Sequence, residues 1–501
     1  MSTATQPRTR LALSILGLAV VLGILGDQLL RAMPWGLNLT LVALSLIAAG
    51  AWLVVRYRLP ASKDAPWLAL TAVLCAVAFV RRDSQALQTI DLFALVGVLG
   101  LCLLAVQGGS VRLRGITSYV LATCTAAAHT WFGAPRLVFG ELRWSELPIH
   151  GRWRQLGAVG IGLLIALPLV LVFGALFMSA DATFEGLVTS VNIDLPTLIG
   201  HVALTGVCAT FAAGALRGAS FGDASVAAMG ERLSSPGLRY ATAATVLAAL
   251  DLLFVVFVAL QARWLFGGAE VIQTTTGLTV AEYARRGFFE LVTAAALVVP
   301  VLLTAEWATV REGMKQETSF RALATVLVLL VGVLLVSALQ RMLLYVRIFG
   351  LTEQRLYTTA FMVWVALVCG WLAVTVLRGA RARFAFGGLV QGLVVLAGLH
   401  IVNPDALITR VNVTHESALL GPGFDAEYTA GRLSADAVPA LLESLPRLSP
   451  AARAQVADWL LKRWGQTSTR DWRSWNWSDD RARELVRARA ASLVALRHPA
   501  M

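Results

Sequence analysis

The sequence is poor in charge, in lysine and in paired cysteines. Charged residues make up 14% of the 501 positions, against about 25% in ordinary soluble proteins. Only three of the 42 basic residues are lysines. So little charge excludes a set of soluble domains of this total length. None of the five cysteines lies at a metal-ligand spacing such as Cys-x-x-Cys, which argues against a zinc site or a disulfide framework.

Known catalytic and nucleotide-binding motifs are also missing. The sequence contains no Walker motif, nucleophile elbow, HExxH pair or kinase signature, so we expect no cofactor and no metal, and the motifs leave open whether the protein is an enzyme. The net charge of +12 does not indicate a nucleic-acid partner. Much of it falls in short segments between apolar runs, where arginine serves to orient membrane helices.

Long apolar runs dominate what is present. Apolar residues make up 57% of the chain, and a helix needs about 20 of them to cross a hydrocarbon core of about 30 Å. We therefore predict an all-α fold, a polytopic transmembrane helix bundle with about 11 spans and a small helical C-terminal soluble domain. The predicted spans are 11–30, 36–55, 65–80, 90–106, 156–177, 195–216, 241–265, 288–304, 320–340, 357–377 and 384–402.

One further run, 116–133, is less clear. It contains several hydroxyl side chains and His129, and basic residues flank it on both sides. A spanning helix would put one basic flank outside, whereas a surface-lying or re-entrant helix keeps both on one side. We prefer the second alternative, in which the segment does not cross the membrane.

The distribution of arginine predicts the orientation. No small-x-small cleavage site follows the first apolar run, so we expect an uncleaved first membrane helix with a cytoplasmic N-terminus. With eleven spans, the inner segments then hold about twice as many basic residues as the outer segments, as the positive-inside rule requires. The C-terminal domain is then extracytoplasmic, and we expect a multi-pass protein of a bacterial inner (plasma) membrane.

Four blocks divide the chain. They are a first transmembrane block of four spans (1–114), a basic amphipathic connector (115–155), a second transmembrane block of seven spans (156–402) and the C-terminal domain (403–501). No internal repeat or inverted symmetry is visible, which weakens an ordinary secondary-transporter interpretation.

The C-terminal domain shows clear helix boundaries. Ser449 is a natural N-cap before Pro450, Gly465 ends that helix, and Ser478 is the predicted cap of the next one. Three tryptophans lie between these two helices or at the start of the second, and either a core for the small domain or anchoring at the membrane interface explains them. They are Trp472, Trp475 and Trp477.

Ionisable and tyrosine side chains gather in the predicted outer segments. Taken group by group, such residues usually anchor helix ends or tie loops together. The alternative is a shared outward-facing pocket whose arginines bind an anionic group. The candidate ligand-binding residues are Asp181, Glu185, Glu282, Arg285, Arg286, Glu290, Arg341, Tyr345, Arg347, Arg355 and Tyr357.

Three further ionisable residues lie within or near predicted spans. Asp251 is in the middle of LAALDLLFVV, where a proton-relay or ion-binding role and a simple hydrogen bond to a neighbouring helix are both open. His201 and His400 have no metal-ligating partner three or four residues away, so we do not expect them to bind a metal.

A series of motifs runs from about residue 156 to 445. They are SADATF, the LFGG of Leu265–Gly268, LTVAEYARRGFFEL, RMLLY, FGLTEQRLY, FAFG, NPDALITR and the LSADAVPALL of Leu433–Leu442. In this order the motifs resemble those of a family of uncharacterised bacterial polytopic membrane proteins, a domain of unknown function of the DUF 4153/4173 type. The first four spans match it only loosely. The resemblance implies a membrane bundle with a helical appendage, and it implies no activity.

These observations favour a non-enzymatic membrane protein with a transport or sensing/accessory role and an outward polar pocket. The competing interpretation is an integral-membrane enzyme that acts on a lipid-linked substrate at the outer face. The expected partners are the lipid bilayer, an anionic lipid or small anionic ligand in the pocket, and a protein partner at the C-terminal domain.

Overall fold

The long apolar runs form helices, because a backbone in hydrocarbon has to satisfy its own hydrogen bonds. The computed structural model describes residues 7–112, 115–144, scattered positions between 162 and 186, and residues 194–222, 237–266, 288–417, 424–466 and 471–497. Within these ranges the only strands are two parallel two-residue segments, β1 (Leu238–Arg239) and β2 (Thr309–Val310). The predicted all-α bundle is confirmed.

Ten helices correspond to predicted spans. Nine of them are long and apolar enough to cross a membrane within the described part of the chain, and the tenth, α3, is shorter, with 17 residues. The predicted number of eleven stays a prediction, because 156–177 falls largely outside the described positions. The ten are α1 (Pro7–Leu30), α2 (Leu37–Tyr57), α3 (Ala65–Arg81), α4 (Gln85–Val106), α6 (Leu195–Phe221), α7 (Tyr240–Phe266), α8 (Phe288–Ala308), α9 (Met314–Phe349), α10 (Glu353–Thr375) and α11 (Phe384–Val402), with α5 (Ile116–Arg136) between α4 and α6.

Helices that follow one another directly in the chain run antiparallel, so the turns between them lie alternately at the two ends of the bundle. We call the end where α11 passes into the C-terminal domain the appendage end; the turns 31–36, 82–84 and 350–352 lie there. The opposite, N-terminal end holds the start of α1, as the hydrogen bond of 2.7 Å between Ser14 Oγ and Tyr57 OH shows. The amide of Ser62 donates to Ala105 O at that same end.

Both ends of α5 lie at the N-terminal end. Near its start, Tyr119 OH donates to Val111 O, just after α4. Beyond its last turn a π-helical turn, Leu137–Glu141, brings Glu141 to α1 and α6. Its carboxylate pairs with Arg8 Nη2 at 2.6 Å and with Arg217 Nη2 at 2.8 Å. The contacts of α5 therefore begin and end on one side of the bundle.

The C-terminal domain, which we call the appendage, is a group of short helices. Its elements are α12 (Pro404–Ser417), a π-helical turn (Glu427–Arg432), a 3-10 turn (Ala435–Ala437), α13 (Val438–Ser444), α14 (Pro450–Trp464), a second 3-10 turn (Trp472–Ser474), α15 (Trp477–Ala488) and α16 (Ala490–Arg497). Alanine, leucine and valine side chains from α12 to α16 form one buried cluster, separate from the clusters inside the bundle. The appendage therefore has its own core.

The caps of two appendage helices test the predicted boundaries. Ser449 accepts a hydrogen bond from the amide of Ala452, which confirms it as the N-cap of α14. For α15 the predicted N-cap, Ser478, was wrong by two residues. The N-cap is Asn476, whose Oδ1 accepts hydrogen bonds from the amides of Ser478 and Asp479. The hydroxyl of Ser478 is used elsewhere, in a 2.7 Å bond to Asp436.

The tryptophans of the appendage divide into two groups. Trp464 is buried in the appendage core with 3% of its surface exposed, whereas Trp472, Trp475 and Trp477 are 63%, 39% and 52% exposed. The core explanation is therefore wrong for these three. The amide of Leu37 donates to Trp475 O, so the exposed group lies beside the start of α2.

Candidate functional site

A buried ion pair joins the appendage to the bundle. Arg82, directly after α3, lies 3.1 Å from Asp436 of the appendage, and both side chains are almost fully buried. The amides of Asp83 and Ser84 donate to the second carboxylate oxygen at 2.8 and 3.1 Å. We call the buried polar layer around this pair the junction. It fixes the position of the appendage over the end of the bundle.

A second buried carboxylate, Asp405, lies in the junction at the start of α12. Its Oδ2 accepts hydrogen bonds from the amide and the hydroxyl of Ser434, whereas its Oδ1 is buried without a hydrogen-bond partner within the described residues. Burial raises the pKa of Asp405, and the neighbouring Asp436 acts in the same direction, while the bonds from Ser434 and the charge of Arg82 oppose them.

A cavity of about 620 Å³ opens beside the junction, between the bundle and the appendage. We call it the α9–α10 cavity, because most of its lining comes from these helices and the turn between them. Aromatic and apolar side chains form one part of its wall, and one arginine, one carboxylate, an amide and hydroxyl groups form the rest. The lining residues are Phe288, Phe289, Met342, Tyr345, Thr352, Glu353, Gln354, Arg355, Thr358 and Tyr428.

Arg355 is held in place before any ligand binds. Its guanidinium carbon lies 4.1 Å from the centre of the Tyr345 ring, a cation–π distance. One nitrogen, Nη1, donates to the carbonyls of Phe349 and Gly350, which end α9. Its Nε and Nη2 have no hydrogen-bond partner in the part of the chain that the structure describes. The arginine therefore keeps donors available at the cavity wall.

The backbone turn that carries Arg355 has a clear local cause. Gly350 adopts a φ of +72°, which ends α9 and which L side chains rarely adopt. A side chain there would also meet Asn412 of α12, whose amide binds both the N–H and the carbonyl of Leu351. The reversal between α9 and α10 is thus fixed by the glycine and by the appendage together.

Tyr428 contributes a hydroxyl to the cavity from the appendage. Its oxygen accepts a 2.9 Å hydrogen bond from the amide of Glu353 at the start of α10. Burial raises the pKa of Tyr428 to about 12, so the phenol keeps its proton at neutral pH. The hydroxyl can therefore donate to an acceptor in the cavity.

The structure brings only part of the predicted site together. Of the predicted residues, Tyr345 and Arg355 line the α9–α10 cavity. Tyr357 points to the junction instead, with its hydroxyl 3.3 Å from Ser84 Oγ. Arg341 is half-buried and Arg347 is exposed, and neither lines the cavity. Arg347 is two residues from Tyr345 and therefore faces a different direction along α9.

The remaining predicted residues lie apart from the cavity or outside the described positions. Glu290 is exposed on α8, one residue beyond the cavity wall. Asp181 is exposed, and its carboxylate accepts hydrogen bonds from the hydroxyl and the amide of Thr183, which lower its pKa. The predicted residues outside the described positions are Glu185, Glu282, Arg285 and Arg286.

Asp251 lies in the middle of α7 and is buried. Neither carboxylate oxygen has a hydrogen-bond partner within the described residues. The neighbouring Leu247 and Phe254 pack in the apolar core shared with α9 and α10. The alternative of a hydrogen bond to a neighbouring helix is therefore not realised there, and Asp251 does not line the α9–α10 cavity.

Two aspartate–histidine pairs were not predicted. His400 Nε2 lies 2.8 Å from Asp91 Oδ1, and His201 Nδ1 lies 2.5 Å from Asp27 Oδ2. Arg31 also pairs with Asp27 at 2.8 Å. Each pair joins one of the first four helices to a helix far along the chain. Asp91, an acid inside an apolar run, was the one signal in the sequence that could have indicated the first pair.

The side chains that the structure brings together in the α9–α10 cavity include donors suited to an anion. The described residues include no group of three or more histidine, cysteine or acidic side chains suited to a metal ion. The five cysteines are free, and Cys124 is exposed. What the α9–α10 cavity offers is one oriented guanidinium, hydroxyl donors and an aromatic wall, a combination that suits an amphipathic anion.

A comparison with known families adds to this picture. The family described as a domain of unknown function (DUF4153) matches residues 68–444. The match begins in α3, well before the first of the sequence motifs. No curated protein and no solved structure gives a significant match. Because the match covers most of the chain, from α3 to the end of α13, the protein belongs to the DUF4153 family of polytopic membrane proteins.

Proposed function

We propose that this membrane protein binds an amphipathic ligand with an anionic head group in the α9–α10 cavity, and that it serves a sensing or accessory role. The observation that carries the proposal is the position of Arg355, an oriented cation in a cavity that is half apolar and lies at the end of a membrane bundle. A guanidinium with free donors favours phosphate or carboxylate. The wall of Phe288, Phe289 and Met342 suits an attached apolar chain.

The composition of the cavity favours sensing over transport. Tyr428 belongs to the appendage, whereas Tyr345 and Arg355 belong to the bundle. A ligand held between them would change how firmly the appendage docks, because a ligand stabilises the arrangement to which it binds best. A transporter would instead need a polar path through the bundle, and Asp251, surrounded by apolar packing, offers little support for one.

The enzyme alternative rests on a separate observation, the carboxylate of Glu353 in the same cavity. A carboxylate beside a bound head group could act as a general base on a lipid-linked substrate. Replacement Glu353→Gln separates the two functions. An enzyme would lose turnover while it still binds its substrate, whereas a binding protein would keep its ligand and its output.

The orientation that we propose puts the N-terminal end in the cytoplasm of a bacterial inner membrane and the appendage outside. The support is the arginine-rich N-terminal end, with Arg56, Arg58, Arg378, Arg381 and Arg383 in its turns or at helix ends beside them. Paired reporters fused at Gln466 provide the test. We expect activity only from the reporter that works outside the cytoplasm, and the opposite result would reverse the orientation.

The ligand proposal is tested on the full chain purified in mild detergent. Mass spectrometry of the intact protein would identify any co-purifying species and the fraction of protein that retains it. We expect Arg355→Gln to lower that retention about tenfold, because a charge-assisted hydrogen bond contributes roughly 1.5–3 kcal/mol and about 1.4 kcal/mol corresponds to a factor of ten. Arg347→Gln, at the same end of α9 but outside the cavity, is the matched control. Equal retention by wild type and Arg355→Gln would refute the proposal.

A further inference from the structure

A second cavity, of about 380 Å³, lies on another side of the junction and is strongly basic. We call it the basic cavity. It forms where the end of α3, the turn after α11, α13 and α15 meet. Four of its lining residues are arginines, and Glu443 is its only acidic lining residue in the described part of the chain. The lining residues are Arg81, Arg82, Asn403, Pro439, Glu443, Trp477, Ser478, Arg481, Leu485 and Arg489.

Two of the four arginines are neutralised by protein carboxylates. Arg82 is buried against Asp436, and the exposed Arg481 pairs with Glu484 at 2.6 Å. Arg81 and Arg489 are exposed, and neither has an ion-pair partner among the residues with described positions. Glu443 can offset only one of these two charges, so the described lining of the basic cavity keeps a net positive charge.

The sequence of α15 explains how this cavity is built. Trp477, Arg481, Leu485 and Arg489 recur every four residues, so they form a single line along one side of the helix and just beyond its end. Val486, on another side of α15, is fully buried in the appendage core. The helix thus uses one side to hold the appendage together and presents another to the cavity.

The basic cavity lies level with the end of α3 at the appendage end of the bundle. Asn476, directly before α15, donates to the carbonyls of Phe79 and Arg82 at the end of α3. The exposed rings of Trp475 and Trp477 are therefore fixed level with the ends of the spanning helices. Tryptophan is enriched at this depth, where an apolar ring borders polar head groups.

We propose that the basic cavity binds a phosphate group, and that its ordinary source is the head group of an anionic phospholipid of the surrounding bilayer. Arginine side chains bind phosphate through paired, charge-assisted hydrogen bonds, and Trp477 provides an apolar surface for the adjoining glycerol and acyl region. The bound phosphate would link α3 of the bundle to α15 of the appendage. This site is independent of the α9–α10 cavity and of its ligand.

Hydrogen–deuterium exchange of α15 provides a local test that does not depend on the other cavity. The full chain would be placed in nanodiscs of phosphatidylcholine alone and of phosphatidylcholine mixed with phosphatidylglycerol. We expect phosphatidylglycerol to slow exchange in peptides from 477–489 several-fold. The double variant Arg81→Gln/Arg489→Gln should lose this protection, whereas Arg487→Gln, an exposed arginine of the same helix outside the cavity, should keep it.

A second arm identifies the source of the phosphate. Inorganic phosphate is added to the phosphatidylcholine nanodiscs, with chloride at equal ionic strength as the control. Protection by phosphatidylglycerol alone supports the lipid source, and equal protection by inorganic phosphate supports a soluble phosphate ligand at the same arginines. If neither protects α15, or if Arg487→Gln loses protection as fully as the double variant, the proposal of a phosphate site is overturned.

Discussion

Asp436 at the junction and Asp251 inside the bundle are two buried carboxylates with opposite surroundings. At the junction, Asp436 accepts hydrogen bonds from Arg82, Ser478 and two backbone amides. In the bundle interior, Asp251 is buried with neither oxygen bonded to a described residue. A buried charge is retained at low cost only where partners compensate it. The comparison suggests that the junction charges serve to position the appendage, whereas Asp251 contributes nothing evident to the packing.

The largest effect is expected at the junction. Replacement Arg82→Met leaves Asp436 buried without its cation, and the loss of one partner of a buried pair costs about 3–5 kcal/mol. We expect a large fall in the thermal unfolding midpoint and early proteolytic release of the appendage from the purified protein. Arg81→Gln, the exposed neighbour, is the control and should unfold like the wild type in phosphatidylcholine. An unchanged midpoint for Arg82→Met would show that the junction does not hold the appendage.

A smaller effect of opposite sign is expected in the bundle. Asp251→Leu removes a buried carboxyl without partners, and an unsatisfied buried polar group costs about 1–3 kcal/mol. The variant should therefore unfold at a higher temperature, whereas Asp251→Asn, which keeps a polar group of similar size, should differ little. Destabilisation by leucine would mean that Asp251 has a stabilising partner in the folded protein, and the contrast with the junction would disappear.

The smallest effect is the pH dependence that Asp405 gives to the stability of the folded protein. Because the pKa of Asp405 is raised in the folded state, the folded protein keeps a proton there that the unfolded chain releases near its ordinary pKa of about 3.9. Asp405 therefore supports stability fully below that value, and the contribution falls as pH rises through the folded-state pKa. The slope cannot exceed about 1.4 kcal/mol per pH unit for one proton.

The measurement is the unfolding midpoint at a series of pH values, for wild type and Asp405→Asn. We expect the unfolding midpoint of Asp405→Asn to rise relative to that of the wild type as the pH increases above about 4. The substitution leaves unchanged the groups that face Asp405 from the neighbouring elements, which are Arg82, Asp436, Ser434, Glu353, Tyr357, Tyr428 and Arg463. Parallel curves for the two proteins would contradict a raised pKa.

The closeness of two cavity residues could be predicted from the sequence, because they are near one another in the chain. Tyr345 and Arg355 flank a glycine turn between two apolar runs, so their closeness follows from the chain reversal at Gly350. Tyr428 could not be assigned in this way, because it reaches the cavity from the appendage, 75 positions from Glu353. The contact of Tyr357 with Ser84 is likewise long-range, so the local sequence does not reveal it.

The basic cavity is even harder to predict from the sequence, because its lining comes from distant parts of the chain. The four-residue spacing from Trp477 to Arg489 is visible in the sequence. Only the tertiary structure shows that this line of residues forms a cavity wall together with Arg81. Likewise, the exposed tryptophans can be assigned to the interface only when Asn476 is seen bonded to the end of α3. The grouping of these four arginines therefore depends on how the appendage packs on the bundle.

The sequence by itself determined the membrane environment, the all-α class and most helix boundaries, because hydropathy, span length and capping depend on neighbours a few residues apart. Only the tertiary structure decided that Arg82 pairs with Asp436, 354 positions away, and that His400 meets Asp91. Such pairs depend on which helices pack together and on how the appendage docks. Those choices are made by the whole set of side-chain contacts, so no local pattern in the chain encodes them.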